Sequence, residues 1–188
     1  MEHTARGTAL LVMDMQSSIL SMSSNDTSKF IANVAQAITT AREKHIPIIY
    51  VVVAFRAGTP EINSKNKSFS ALKARGSWST EFSEAWENIH PDVRPQQNEI
   101  VVKKRRISAF TGSDLEVILR SQGIQHIVLT GIATSGVVLS TLREAADKDY
   151  QITVLSDCCF DRDEEIHRVL TTKIFPSQAE VLSIEEWG

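Results

Sequence analysis

Three short stretches place chemically capable side chains where an apolar run stops. Asp14 follows LLVM, Lys103 and Lys104 follow EIVV, and Thr134, Ser135 and Gly136 follow HIVLTGIA at the head of an amphipathic segment. A carboxylate near an ammonium can take or give a proton, and backbone N–H groups at a helix start can hold a developing anion. Each stretch alone has a structural reading: a turn cap for Asp14, solvated ends for the lysines, an N-cap for Thr134 and Ser135. Their coincidence at three strand ends favours a shared crevice. Asp157, after a further apolar run and before a helix start, is expected to be structural.

The elements that must position these residues are legible as alternating patterns. Apolar runs rich in β-branched residues recur at Thr8–Met13, Ile48–Phe55, Ile100–Val102, His126–Thr130, Ile152–Leu155 and Ala179–Leu182. Most are nearly continuous in hydrophobicity, as strands covered on both faces should be. Between them, Phe30, Ile31, Val34, Ala35, Ile38 and Ala41 recur at helical spacing behind capping residues at Asp26 to Ser28. Ser113 to Glu116 reads as a capping box for a helix with Leu115, Ile118 and Leu119 buried and Gly123 as its stop. Asp161 to Glu164 starts another helix, with Ile166, Val169, Leu170 and Ile174 on one face and Pro176 at its end. Trp78 to Ile89 is expected to be helical.

Strands alternating with helices predict one three-layer α/β/α, Rossmann-like domain over residues 1–188, with a mainly parallel sheet of about six strands. In such sheets ligands bind beyond the carboxyl ends of the strands, near the point where strand order reverses. The three polar stretches fall on that edge. Arg56 to Ser77 reads as one long irregular loop, either a lid or partner-binding segment or a mobile surface loop.

Composition removes several functions. The formal net charge is -3, so the KKRR run at 103–106 is not backed by a basic surplus and nucleic acid is not an expected partner. No run approaches the roughly 18 apolar residues of a membrane span, and MEHTARGTALLVMDMQ lacks the build of a secretory leader. A cytoplasmic protein is expected. Cys158 and Cys159 are adjacent, which suits small-residue packing better than a disulfide. The histidines are scattered without zinc-site spacing, and GxGxxG and Walker-type loops are absent, so no metal and no cofactor are expected.

Taken in order, ALLVMDMQ, VVKKRRISAF, TGSDLEVILRSQGIQHIVLTGIATSGVV and REAADKDYQITVLSDCC resemble the isochorismatase-like cysteine hydrolase superfamily. The resemblance implies an isochorismatase-like hydrolase fold, a small-molecule substrate and a homo-oligomer, dimer or larger. It puts the family's catalytic aspartate on Asp14 and its lysine, four residues before the serine of SAF, on Lys104 rather than Lys103. It puts the family's threonine, often preceded by a non-proline cis peptide, on Thr134. Ser135, Gly136 and Val137, with Thr134 and Gln16, are then the substrate-binding candidates.

Amidase members of the superfamily carry a cysteine where this chain has Val137. Valine offers no lone pair, so thiol-dependent amide hydrolysis is disfavoured. Isochorismatases proper also lack the cysteine, and the resemblance implies Asp14 as general acid on a vinyl ether, with Lys104 assisting. The adjoining cation favours an ionised Asp14 while a general acid must be protonated, so desolvation or substrate charge would have to win. A base role, with Asp14 activating water, stays open. A catalytically silent member that binds a small molecule or protein partner in the crevice is the alternative. VVVAFRAGTPEI lacks the histidines of the zinc-binding nicotinamidase branch, so the resemblance implies no zinc.

Overall fold

The computed structural model describes residues 7–74 and 86–188. Among them are strands β1 (Thr8–Met13), β2 (Ile48–Val53), β3 (Ile100–Lys104), β4 (His126–Ile132), β5 (Gln151–Phe160) and β6 (Glu180–Leu182). All pairs are parallel, in the order β3-β2-β1-β4-β5-β6. The helices are α1 (Ser17–Leu20), α2 (Ser28–Glu43), α3 (Lys67–Ala74), α4 (Leu115–Ser121), α5 (Leu139–Asp147), α6 (Glu164–Val169) and α7 (Ile184–Trp187). Strand order reverses between β1 and β4, so the crevice beyond their carboxyl ends is the expected ligand site.

Residue alternation explains the three layers. Side chains of a strand point to opposite faces in turn, and β1, β2 and β4 are buried at every position. Ala9, Leu11, Met13, Ile49, Val51 and Leu129 pack with Leu115 and Leu119 of α4 and Leu142 of α5. Leu10, Val12, Tyr50 and Val128 pack on the opposite face with Phe30, Val34 and Ile38 of α2 and Trp187 of α7. The sheet is therefore sandwiched, and the continuous apolar runs have their cause.

Several sequence expectations need correction. The Ser113–Glu116 capping box does not form: Asp114 is the N-cap without a side-chain cap bond, and Glu116 pairs with Lys148 at 2.7 Å. Ser113 Oγ instead accepts from the Leu115 N–H. A capping box does form at Ser183 and Glu186, before α7. Ile166 is exposed rather than buried, because α6 turns that position away from the sheet. Residues 56–77 are not one irregular loop over their described part, since α3 lies within it and buries Phe69. Most of the helix expected over 78–89 lies outside the described residues, and its end is not helical: Ile89 forms a bridge with Gln16.

β5 also runs well past Leu155. Its pairing with β4 passes from Leu129↔Val154 to Gly131↔Cys159, so the strand bulges through Ser156 and Asp157 before rejoining the sheet. The polar residues of the bulge have partners. Ser156 Oγ donates to the Leu182 carbonyl, and the Asp157 carboxylate accepts the Ile184 N–H at 2.9 Å.

At the same register break, Gly131 has φ +132°, and a Cβ there would lie 2.0 Å from the Met13 carbonyl oxygen. Only glycine allows β4 to approach β1 this closely, one residue before Asp14. Gly123, at the end of α4, has φ +65° but nothing within 4 Å of a would-be Cβ. Urea unfolding should separate these two constraints. Gly123→Ala is expected to cost about 1 kcal/mol, whereas Gly131→Ala, which adds backbone collision, is expected to cost more than about 4 kcal/mol.

Candidate functional site

Asp14 leaves β1 with φ +56°, its N–H still held by the Val51 carbonyl at 2.8 Å. Lys104, the last residue of β3, is only 2% exposed and reaches past β2 to the same point. Its Nζ donates to Asp14 Oδ2 at 2.8 Å and to the Ile107 carbonyl at 2.6 Å. Asp14 Oδ1 is buried with no hydrogen-bond partner among the described residues. Burial raises the Asp14 pKa above the ordinary aspartate value, outweighing the lowering by the Lys104 charge and hydrogen bond. Asp14 thus holds its proton to higher pH than a solvated aspartate does, with one oxygen bound to Lys104 and the other unengaged.

The other residues of the KKRR run serve the frame. Lys103 is half exposed and pairs with Glu87. Arg105 donates to the Ala54 carbonyl at 2.7 Å and lies 3.5 Å from Glu61. Arg106 donates to the Glu61 carbonyl at 2.9 Å. These contacts fasten the segment after β2 to the end of β3. Nearby, Val53, Phe55, Phe69 and Trp86 form an apolar cluster, and Val53 is the register partner of Lys104.

The Gln16 side chain is engaged with the backbone. It is fully buried, accepting the Val53 N–H at 2.8 Å and donating to the carbonyls of Val53 and Trp86 at 3.2 and 2.6 Å. Its amide is spent on backbone, so it braces the crevice wall. Thr134 is likewise fully buried, with Oγ1 2.8 Å from His167 Nδ1. Ser135 is exposed and donates its N–H to Asp161 Oδ2 at 2.7 Å.

Thr134 and Ser135 belong to a kinked helical turn, Thr134–Val138, entered through a cis peptide between Ile132 and Ala133. Gly136 has non-helical φ/ψ (-98°, -105°) inside it. Val137 is 2% exposed and packs in the core with Val138 and Leu142. The side chain at the position of interest is therefore both unreactive and covered.

Asp161 and His167 were not among the residues the sequence singled out for chemistry. Asp161 read as a helix start and His167 as one of five scattered histidines. No local pattern joins either residue to a turn some 26 to 33 residues earlier. Burial lowers the His167 pKa and the nearby Asp161 charge partly opposes it, a balance that favours the neutral imidazole.

Among the described residues no group of three or more His, Cys, Asp or Glu side chains is placed to hold a metal ion. No described helix is long and apolar enough to cross a membrane.

Comparison with known proteins follows the same outline. A family model described as "Isochorismatase domain" matches residues 8–186. A ureidoacrylate amidohydrolase RutB from Variovorax paradoxus is 34% identical over 173 residues, covering 81% of this chain and 68% of that protein. An uncharacterized isochorismatase family protein, YwoC of Bacillus subtilis, is 31% identical over 180 residues, covering 96% of this chain and 92% of its own. The solved structure of an isochorismatase family protein from Burkholderia thailandensis superposes with a TM-score of 0.82 at 27% identity, covering 96% and 93% of the two chains.

Neither cysteine can stand in for Val137. Cys158 and Cys159 are buried, and burial pushes both thiols far above the ordinary range. Since the thiolate is the reactive form, the native protein at pH 8 is expected to release no chromophore from a disulfide reagent such as DTNB. Two equivalents should react once it is unfolded in guanidinium. Fast labelling of the native state would overturn this assignment.

Proposed function

Because the chain belongs to the isochorismatase family, we propose that it hydrolyses a small metabolite by proton transfer at Asp14, without a cysteine nucleophile. The observation that carries this reading is the Asp14 carboxyl group: buried, raised in pKa, held through Oδ2 by Lys104, with Oδ1 unengaged. Such a group keeps its proton to higher pH than an ordinary solvated aspartate, which suits a general acid.

The substrate class that suits it carries an electron-rich double bond next to a heteroatom, as in a vinyl ether. Asp14 transfers its proton to the terminal carbon, forming a C–H bond and an oxocarbenium ion. The carboxylate left behind is stabilised by the Lys104 ammonium. Water adds to the cation and returns a proton to Asp14. The resulting hemiketal collapses to an alcohol and a ketone, and no covalent enzyme intermediate forms. The apolar cluster beside Lys104 favours an apolar or unsaturated substrate portion over a bare amide. The relatives named ureidoacrylate amidohydrolase bring a second class into any screen: an amide bonded to an unsaturated carbon chain.

The test is a screen of vinyl ethers, carbamoyl compounds and small amides, followed by pH–rate profiles on whatever turns over. General-acid action by Asp14 predicts that kcat/KM is flat at low pH and falls as pH rises through the elevated Asp14 pKa. A base role predicts the opposite slope. Asp14→Asn is expected to lower kcat by about 10²- to 10⁴-fold; unchanged turnover would remove Asp14 from the chemistry.

A further inference from the structure

The turn Ile132–Val138 carries the position at which the crevice changes character, and its contacts from α6 do not belong to the Asp14–Lys104 pair. The buried Thr134 hydroxyl meets His167 Nδ1 at 2.8 Å, and the next residue gives its N–H to Asp161 at 2.7 Å. Both holding groups come from a segment that begins where β5 ends. Asp161 is buried, and its carboxylate acts on His167 as well as on Ser135. His167 is in turn fixed by its helix: its N–H donates to the Asp163 carbonyl, and its own carbonyl accepts from Thr171 Oγ1 at 2.8 Å.

We propose that His167 is a positioning residue for the crevice, setting the conformation of the turn Ile132–Val138 through the Thr134 hydroxyl while Asp161 holds the adjoining N–H. Three features support it. Thr134 has no solvent exposure, so its hydroxyl depends on a protein partner. The turn contains a residue, Gly136, with φ/ψ outside the helical region, so its backbone is not fixed by helical bonding alone. The two contacts fall on consecutive residues, one through a side chain and one through the main chain, which restrains rotation as well as translation.

The chemistry of the contact also makes it directional. A neutral imidazole can accept at Nδ1 from the threonine hydroxyl, whereas an imidazolium can only donate there. Protonating His167 therefore obliges Thr134 Oγ1 to accept and its hydrogen to turn elsewhere. The ionisable group acting on the ring across the turn is Asp161, whose charge favours protonation against the effect of burial.

This inference rests on the proposed catalytic reading only for its kinetic arm. In ¹H–¹⁵N spectra of the full chain, the amide signals of Ser135, Gly136 and Val137 are expected to titrate with the midpoint of the His167 ring. They should shift, and cease to titrate, in His167→Leu. His167→Asn, which keeps an acceptor near the Nδ1 position, should bring them most of the way back. Thr134→Val removes the hydroxyl at constant shape and should reproduce the loss if His167→Leu fails to fold. On a substrate found by screening, His167→Leu should lower kcat about tenfold or more with KM changed less than about threefold, consistent with misplacement of a reacting surface, and His167→Asn should restore it. Turn amides that neither titrate with His167 nor move in His167→Leu or Thr134→Val would overturn the proposal, whatever the kinetics. Asp14→Asn separates the two readings: it should lower kcat by about 10²- to 10⁴-fold and leave the turn amides in place, so its failure condemns the catalytic reading alone.

Discussion

The contact on which the site depends is the buried meeting of Asp14 and Lys104. Taking a carboxyl group and an ammonium out of water costs several kcal/mol per ion when both stay charged, roughly the whole margin of stability of many domains. The structure eases part of that cost by shifting Asp14 toward its protonated form and by giving Lys104 a second acceptor, the Ile107 carbonyl. It does not relieve all of it, because Asp14 Oδ1 has no hydrogen-bond partner among the described residues. An unmet polar atom in a dry place is poor for stability and well suited to a reaction.

Much of the surrounding architecture serves to hold that pair in place. Gly131 lets β4 press against the Met13 carbonyl, so the end of β1 is fixed immediately before Asp14 leaves it. Gln16 joins the turn after β1 to the end of β2 and to Trp86 with three side-chain bonds. Arg105 and Arg106 tie the end of β3 to the segment after β2, where Glu61 collects them. Gln16, Arg105 and Arg106 are thus engaged in bracing.

Val137 takes its meaning from this setting. A side chain with no lone pair, 2% exposed and packed with Val138 and Leu142, cannot begin a covalent pathway. The turn that carries it is nevertheless held at two consecutive residues by Asp161 and His167. A turn restrained so closely without a nucleophile to present is consistent with a wall whose shape matters more than its reactivity.

The sequence by itself determined the strands, the parallel three-layer arrangement, and the arrival of Asp14, Lys104 and Thr134 at one edge. Those features follow from periodicity and from strand ends, which are local. It also determined that position 137 has no nucleophile, since side-chain identity settles that alone. Tertiary structure decided everything that depends on which distant groups meet. It engaged the Gln16 amide with backbone and the Thr134 hydroxyl with His167, carried β5 through a bulge to Phe160, exposed Ile166, and brought Asp161 and His167 to the turn. It also fixed the direction of the Asp14 pKa. The sequence contains both the neighbouring cation that lowers it and the apolar residues that raise it, but the balance depends on how completely water is excluded, and that is a property of packing.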